Sequence, residues 1–363
     1  MNKRLMNAAL VCLFLSLALQ ANAGRAKFQI INDPVQQTWT NFALSADGRV
    51  MAANYGGEIY RWTAKGGFED LGPGDPYSSS IGISADGSVI ISGSAGADGY
   101  TRPTIWKAGR VIDLGHPSNG CWQIGNSWGS GYGLNANGSV AVGLAWNCHD
   151  AEAFEWTAQR GSWSLGHPAG PHSSRATAIS ANSKTIVGFW EDPTGPRRPV
   201  RWIGGKPELF LGAATLGEAT AVTSNGNVIV GQIYDSFGSG VTFLHTDKHG
   251  RRLLGTISGL QTDQSFPNGI SDNGRIVGWS GDPFGAGIEA FFWTSKTGMK
   301  RLSTVLKKMG AKIPVGTVLS TAITISADGS TIAGQYYDSH RFGNWIARIS
   351  DDDKGSGDDE DSR

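Results

Sequence analysis

The chain has 363 residues, 39% hydrophobic and 17% charged, with 52 Gly and 13 Trp. Gly at about twice its usual share, abundant aromatics and mixed charge exclude a mainly disordered chain, a collagen and a polytopic membrane protein. Lys and Arg balance Asp and Glu at 31 each, which gives no overall basic footprint for nucleic acid, and the length suits either two or three ordinary domains or one large all-β unit.

Lys3 and Arg4 precede an apolar run from Ala8 to Leu19, and Ala21-Asn22-Ala23 forms a small-residue cleavage site before Gly24. Residues 1–23 therefore read as a secretory signal peptide, because the run is too short for a spanning helix. The expected location is secreted, extracellular or periplasmic, with no stable membrane insertion. Two cysteines remain after the leader, Cys121 and Cys148, and an oxidising compartment makes one disulfide between them the expected state. Two thiols without a C-x-x-C complete no zinc site, so neither a metal nor another cofactor is expected.

A short strand, Lys27 to Ile31, comes next, before any turn signal. Seven hairpin signals follow: SADG at Ser45 and Ser84, NANG at Asn135, SANS at Ser180, TSNG at Thr223, SDNG at Ser271 and SADG at Ser326. Their third residues lie 39 to 55 apart, a period that means a propeller or solenoid. Asp-Gly and Asn-Gly supply the positive φ of tight hairpins, and β-branched runs follow them. Each hairpin leads to an aromatic strand, such as IYRWT at Ile59 or AFEWT at Ala153, and most continue to a short fourth strand such as VIDLG at Val111, LFLG at Leu209 or KRLST at Lys300.

Four strands make one blade, so the expected fold is all-β: a seven-bladed β-propeller over residues 24–349. The last repeat stops one strand short, and the strand at Lys27 is expected to close the ring by completing it. Closure removes the exposed edges that an open sheet would present. Residues 350–363 carry seven acids and two bases, or −5, against +3 for residues 24–349. They read as an acidic, disordered tail.

The unit G-I-S-A-D-G-S-V-I-V-G, then A-F-R-W-T, then G-M-x-D-L-G, resembles the HAF-type extracellular repeat of bacterial secreted proteins. It is met here by IGISADGSVIISG with IWKAGRVIDLG, and by NGISDNGRIVGWS with EAFFWTSKTGMKRL, across about residues 28 to 349. Blade 5 departs from it, with Phe243-Leu244-His245 where Trp is expected. The resemblance implies a secreted propeller-like protein and carries no catalytic residues with it.

Alternate turns of a four-stranded blade lie on opposite ends. The SADG-type hairpins share one face with the third-to-fourth turns, and the more variable loops share the other. On that loop face Asp192, Asp235, Asp282 and Asp338 recur at similar positions, each with an aromatic just before it: Trp190, Tyr234, Trp279 and Tyr337. Aromatics beside carboxylates suit a glycan, peptide or protein ligand, although Asp in a repeated turn also caps its own backbone. No G-x-S-x-G, H-E-x-x-H or P-loop is present. The expected function is a non-catalytic, monomeric binding or scaffold protein; the alternative is a carbohydrate-active hydrolase or lyase using these carboxylates and Tyr.

Overall fold

The computed structural model describes residues 25–350, apart from 33, 35–39, 77, 79, 97–98, 118–128, 148–149, 235–237, 261, 286 and 340. The leader 1–23, the tail beyond Ser350, both mature cysteines and Asp235 lie outside the described residues. Seven separate sheets of four antiparallel strands make a seven-bladed β-propeller. Blades 1 to 6 are continuous in sequence, at 40–73, 82–113, 129–164, 174–208, 217–255 and 264–301. Blade 7 takes Val318–Ile325, Thr331–Tyr337 and Phe342–Ile349, and its fourth strand is Ala26–Ile31, paired from Ala26 opposite Ile349 to Ile31 opposite Asn344.

The third strand of each blade is buried on both faces, which accounts for much of the aromatic content. Phe154, Trp202, Phe291 and Trp345 are all fully enclosed. Their clusters bridge neighbouring blades. Ala52 and Ile59 of blade 1 pack with Ile90 and Trp106 of blade 2, and Ala333 and Ile346 of blade 7 pack with Met51 and Trp62 of blade 1. Burial of this kind, at about 25 cal/mol per Å² of apolar surface, is what holds otherwise separate sheets in a ring.

The hairpins add a polar lock. In the first, Ser45 Oγ donates to Asp47 Oδ1 at 2.8 Å and accepts the Val50 N–H at 3.0 Å, while the Arg49 N–H bonds the same Asp47 oxygen. Ser84 and Asp86 repeat this geometry, as do Ser326 and Asp328. Donors from Ser84 and Ser88 push the Asp86 carboxyl down to about 2. Gly87 combines a positive φ with close packing, because a Cβ there would stand 2.6 Å from the Val50 Cβ of blade 1.

The hairpin tips are also joined from blade to blade. Ala46 N–H donates to the Ala85 carbonyl, Ala85 to Ala136, and Ala136 to Ala181; Asn182 donates to Ser224, and Asp272 to Ala327. Ser224 N–H meets the Asp272 carboxylate at 2.8 Å, and Asp328 N–H returns to the Ala46 carbonyl at 3.0 Å. These seven links run once around the ring.

Two features differ from the sequence expectation. Leu302–Lys308 is an α-helix, where KRLST was expected to be only a strand. Its Leu302 and Leu306 are buried against blades 6 and 7, with Val305 and Met309 packed beside them. Apolar residues at i, i+3, i+4 and i+7 are the helical period, and they outweigh the strand reading beyond Arg301. Blade 4 also closes with Lys206–Glu208, ahead of the LFLG segment expected there. His245 stands opposite Ile229, as Trp202 stands opposite Ile186 in blade 4, so it occupies the slot that Trp fills elsewhere.

Candidate functional site

The first strands of the blades line a central channel. At the hairpin end, one aliphatic residue from each blade narrows it: Leu44, Ile83, Leu134, Ile179, Val222, Ile270 and Ile325. Each immediately precedes its Ser, Thr or Asn hairpin residue, so the repeat itself supplies the collar. Toward the loop face the channel widens into a cavity of about 370 Å³.

The wider cavity owes its lining to β-bulges. The first strands of blades 3 to 7 slip register at Tyr132, Thr177, Thr220 and Asn268, and at Ser320 and Ile323 in blade 7. A bulge re-aims the residue it leaves unpaired. Tyr132, Thr177, Thr220, Asn268 and Ile323 all line the cavity. Thr220 Oγ1 donates to the Pro267 carbonyl at 2.7 Å, and Asn268 Nδ2 to the Ala322 carbonyl at 2.8 Å, so these bulges also tie one blade to the next.

Charge at this mouth is concentrated beside blade 4. Arg175 pairs with Glu218 at 3.1 Å and lies over Tyr132 and Phe189; Arg197 pairs with the same Glu218 oxygen at 3.3 Å and lies 4.1 Å from the Phe189 centroid. Phe189 is therefore flanked by two guanidinium groups. No repeat position marks these residues, so the sequence alone gives no signal for them.

The eight residues singled out from the sequence fall into different environments. Trp190 is only 3% exposed, donates its indole N–H to the Gly170 carbonyl and belongs to the blade 4 core. Asp192 is buried as well. It bonds the Thr194 hydroxyl and N–H and pairs with Arg198, and these partners hold its carboxyl below the usual range. Asp282 accepts the Phe284 N–H at 2.9 Å, and Asp338 accepts the Arg341 N–H at 3.0 Å. These carboxylates shape their own hairpins. Asp235 lies outside the described residues.

The remaining three are aromatic and accessible. Tyr234 is 48% exposed, Tyr337 is at the edge of exposure, and Trp279 is half-buried in a parallel stack on Phe266, centroids 6.1 Å apart, at the cavity wall. The structure adds others that the repeat pattern does not single out. Phe284 is 92% exposed between strands two and three of blade 6, Phe342 is 66% exposed beside Tyr337 in blade 7, and Trp146 is exposed at the end of the second strand of blade 3. By strand order, all of these are on the loop face.

Asp192, Asp282 and Asp338 sit in different blades, and each is bound to its own turn. Among the described residues no three His, Cys, Asp or Glu side chains come together to hold a metal, and no helix is long and apolar enough to cross a membrane.

No protein-family model and no curated protein matches the chain. Solved structures share the fold at low identity. A protein of Agrobacterium tumefaciens assigned as a TolB is 14% identical over 91% of this chain and all of its own, with a TM-score of 0.45. TolB from Acinetobacter baumannii is 12% identical over 91% of this chain and 64% of its own, with a TM-score of 0.46. A chain of a mitotic checkpoint complex is 14% identical over 91% of this chain and 93% of its own, with a TM-score of 0.50. At such identity the likeness extends to the propeller fold alone.

Proposed function

We propose that this chain is a non-catalytic propeller that binds a polypeptide partner through its loop face. One observation carries the reading: Trp146, Tyr234, Phe284, Tyr337 and Phe342 expose large aromatic surface from four blades, and all five lie at the same end of the ring. Solvent-exposed aromatics cost hydrophobic free energy unless something covers them, and Trp, Tyr and Phe are enriched in the centres of protein interfaces. A sugar platform would pair such rings with free carboxylates. Here Asp192 is neutralised by Arg198, and Asp282 and Asp338 cap their own loops, which favours a peptide or protein over a glycan.

The hairpin face supports this division by contrast. Its turns are uniform and bonded to one another, as suits a scaffold. The chain then belongs with HAF-type secreted repeat proteins, exported by residues 1–23 and working outside the cytoplasm, where Cys121 and Cys148 pair.

The test is a footprint. A peptide selected from a random display library against the full chain should slow amide exchange in the second-to-third hairpins of blades 5, 6 and 7. Protection confined to the SADG-type hairpins would place the site on the other face and overturn the reading.

A further inference from the structure

Overall neutrality conceals one strongly basic surface. Between Ala290 and Ala327 the chain has six cations, Lys296, Lys300, Arg301, Lys307, Lys308 and Lys312, and no acid. This segment contains the end of blade 6 and the helix Leu302–Lys308 on the outer rim between blades 6 and 7. The strand Ala26–Ile31 adjoins it, since the Ala26 N–H donates to the Met309 carbonyl at 2.9 Å, and it brings Arg25 and Lys27. Eight of the body's 27 Lys and Arg thus stand together, leaving 19 against 24 acids elsewhere on residues 24–349.

The helix dipole accounts for only part of this. Lys307 and Lys308 in the last turn answer the negative helix end, a modest effect at an exposed surface. Arg301 is paired with Glu289 at 2.9 Å. Lys27, Lys296, Lys300, Lys307, Lys308 and Lys312 have no ion-pair partner among the described residues, and all are exposed. Like charges gathered on one surface repel one another, and an anionic partner relieves that repulsion.

The chain carries such a partner in cis. Residues 351–363 hold seven acids and two bases, and they continue from Ser350. Ser350 donates its N–H to the Arg25 carbonyl at 2.8 Å, and the next residue, Ala26, is the one bonded to Met309 at the helix end. The acidic segment therefore starts at the border of the basic surface. Thirteen residues reach about 40 Å when extended, which is ample for a helix two hydrogen bonds away. A short tether gives an effective concentration in the mM range, enough for weak charge pairing to be well populated.

We infer that residues 351–363 dock on the basic surface formed by the helix Leu302–Lys308, its flanking lysines and Lys27, and so occupy it against external polyanions. The contact is electrostatic and is weakened by salt, as exposed pairs are screened beyond about 8 Å at physiological ionic strength.

The experiment is zero-length carbodiimide cross-linking of the full chain at physiological salt, with the amide-linked peptides located by mass spectrometry. Links from the tail carboxylates should form to Lys27, Lys307, Lys308 or Lys312, not to Lys65, Lys107, Lys184, Lys206 or Lys248, and should be lost at 1 M salt. Links spread over all lysines, or none to the patch, would overturn the inference. A second measurement needs no cross-linker. A chain ending at Ser350 should elute from immobilised heparin at higher salt than the full chain. K307E/K308E should remove that gain, and K184E/K206E should leave it. Equal elution of the full and shortened chains would show that the surface is open to external polyanions and that the tail does not cover it.

Discussion

Asp328 of blade 7 donates its backbone N–H to the Ala46 carbonyl of blade 1 at 3.0 Å. First and last blades are thus joined at the hairpin face by a main-chain bond, to which Arg348 Nη2 adds a bond to the Gly48 carbonyl at 3.1 Å. At the rim, blade 7 is completed by Ala26–Ile31, where Phe28 stacks on Trp345 with centroids 6.0 Å apart. The two attachments can be separated experimentally.

Deleting residues 25–31 should uncover the edge of Phe342–Ile349 and one side of Trp345. An unpaired strand edge invites pairing with another chain, so a lower Tm and growing light scattering are expected. Unchanged melting without aggregation would mean that the hairpin ring and a three-stranded blade suffice.

Glycines with the same backbone conformation should differ in their tolerance of Ala. Gly161 has φ +75° and open space for 4 Å around the point where a Cβ would stand, so Gly161→Ala should cost about 1 kcal/mol, from the left-handed conformation alone. At Gly87 the same change meets Val50 and should cost about 3 kcal/mol, because overpacking adds to it. Urea midpoints measured on both variants decide this, and equal losses would remove the packing role of the hairpin glycine.

The contrast marks what was legible in the chain. Asp-Gly and Asn-Gly turns followed by Val and Ile runs reveal hairpins by local physics, so blade number and strand order could be read directly. Burial could not. The pattern groups Trp190 with Trp279 as aromatics ahead of a loop Asp, yet both lie inside their second strands, two residues after Gly188 and one after Gly278, so the pleat turns Trp190 into the core toward Gly170 and Trp279 onto Phe266 at the cavity. Phe284 and Phe342 carry no repeat signature, and only the loop path exposes them. The bulges that send Thr220 and Asn268 into the channel depend on cross-strand register, which no single strand encodes.

Stability should depend on pH through His245. Burial lowers its pKa below the ordinary 6.5, despite opposing help from Asp247, and its buried Nδ1 has no hydrogen-bond partner among the described residues. The unfolded state then binds more protons as pH falls below about 7, so stability declines from there until the folded pKa is passed. His245→Phe keeps a ring against Phe210 and should flatten that decline in melts taken between pH 7 and 5. An unaltered slope would assign it to other groups.

Pairing of Cys121 with Cys148 should leave no thiol to label in the exported native protein. Reduction should lower stability by about 3 kcal/mol, as expected for closing a loop of this length. Two reactive thiols in that material would contradict the pairing.

The loop-face proposal is tested most directly by the affinity of a display-selected peptide for the full chain and for Y234S/F284S/F342S. All three side chains are exposed, so circular dichroism and Tm should stay at the parent values while the Kd rises 10- to 100-fold, about 1.4 to 2.8 kcal/mol. An unchanged Kd in the folded triple variant, with binding lost instead on altering the hairpin-face residues Asp47 and Asp86, would contradict a loop-face site.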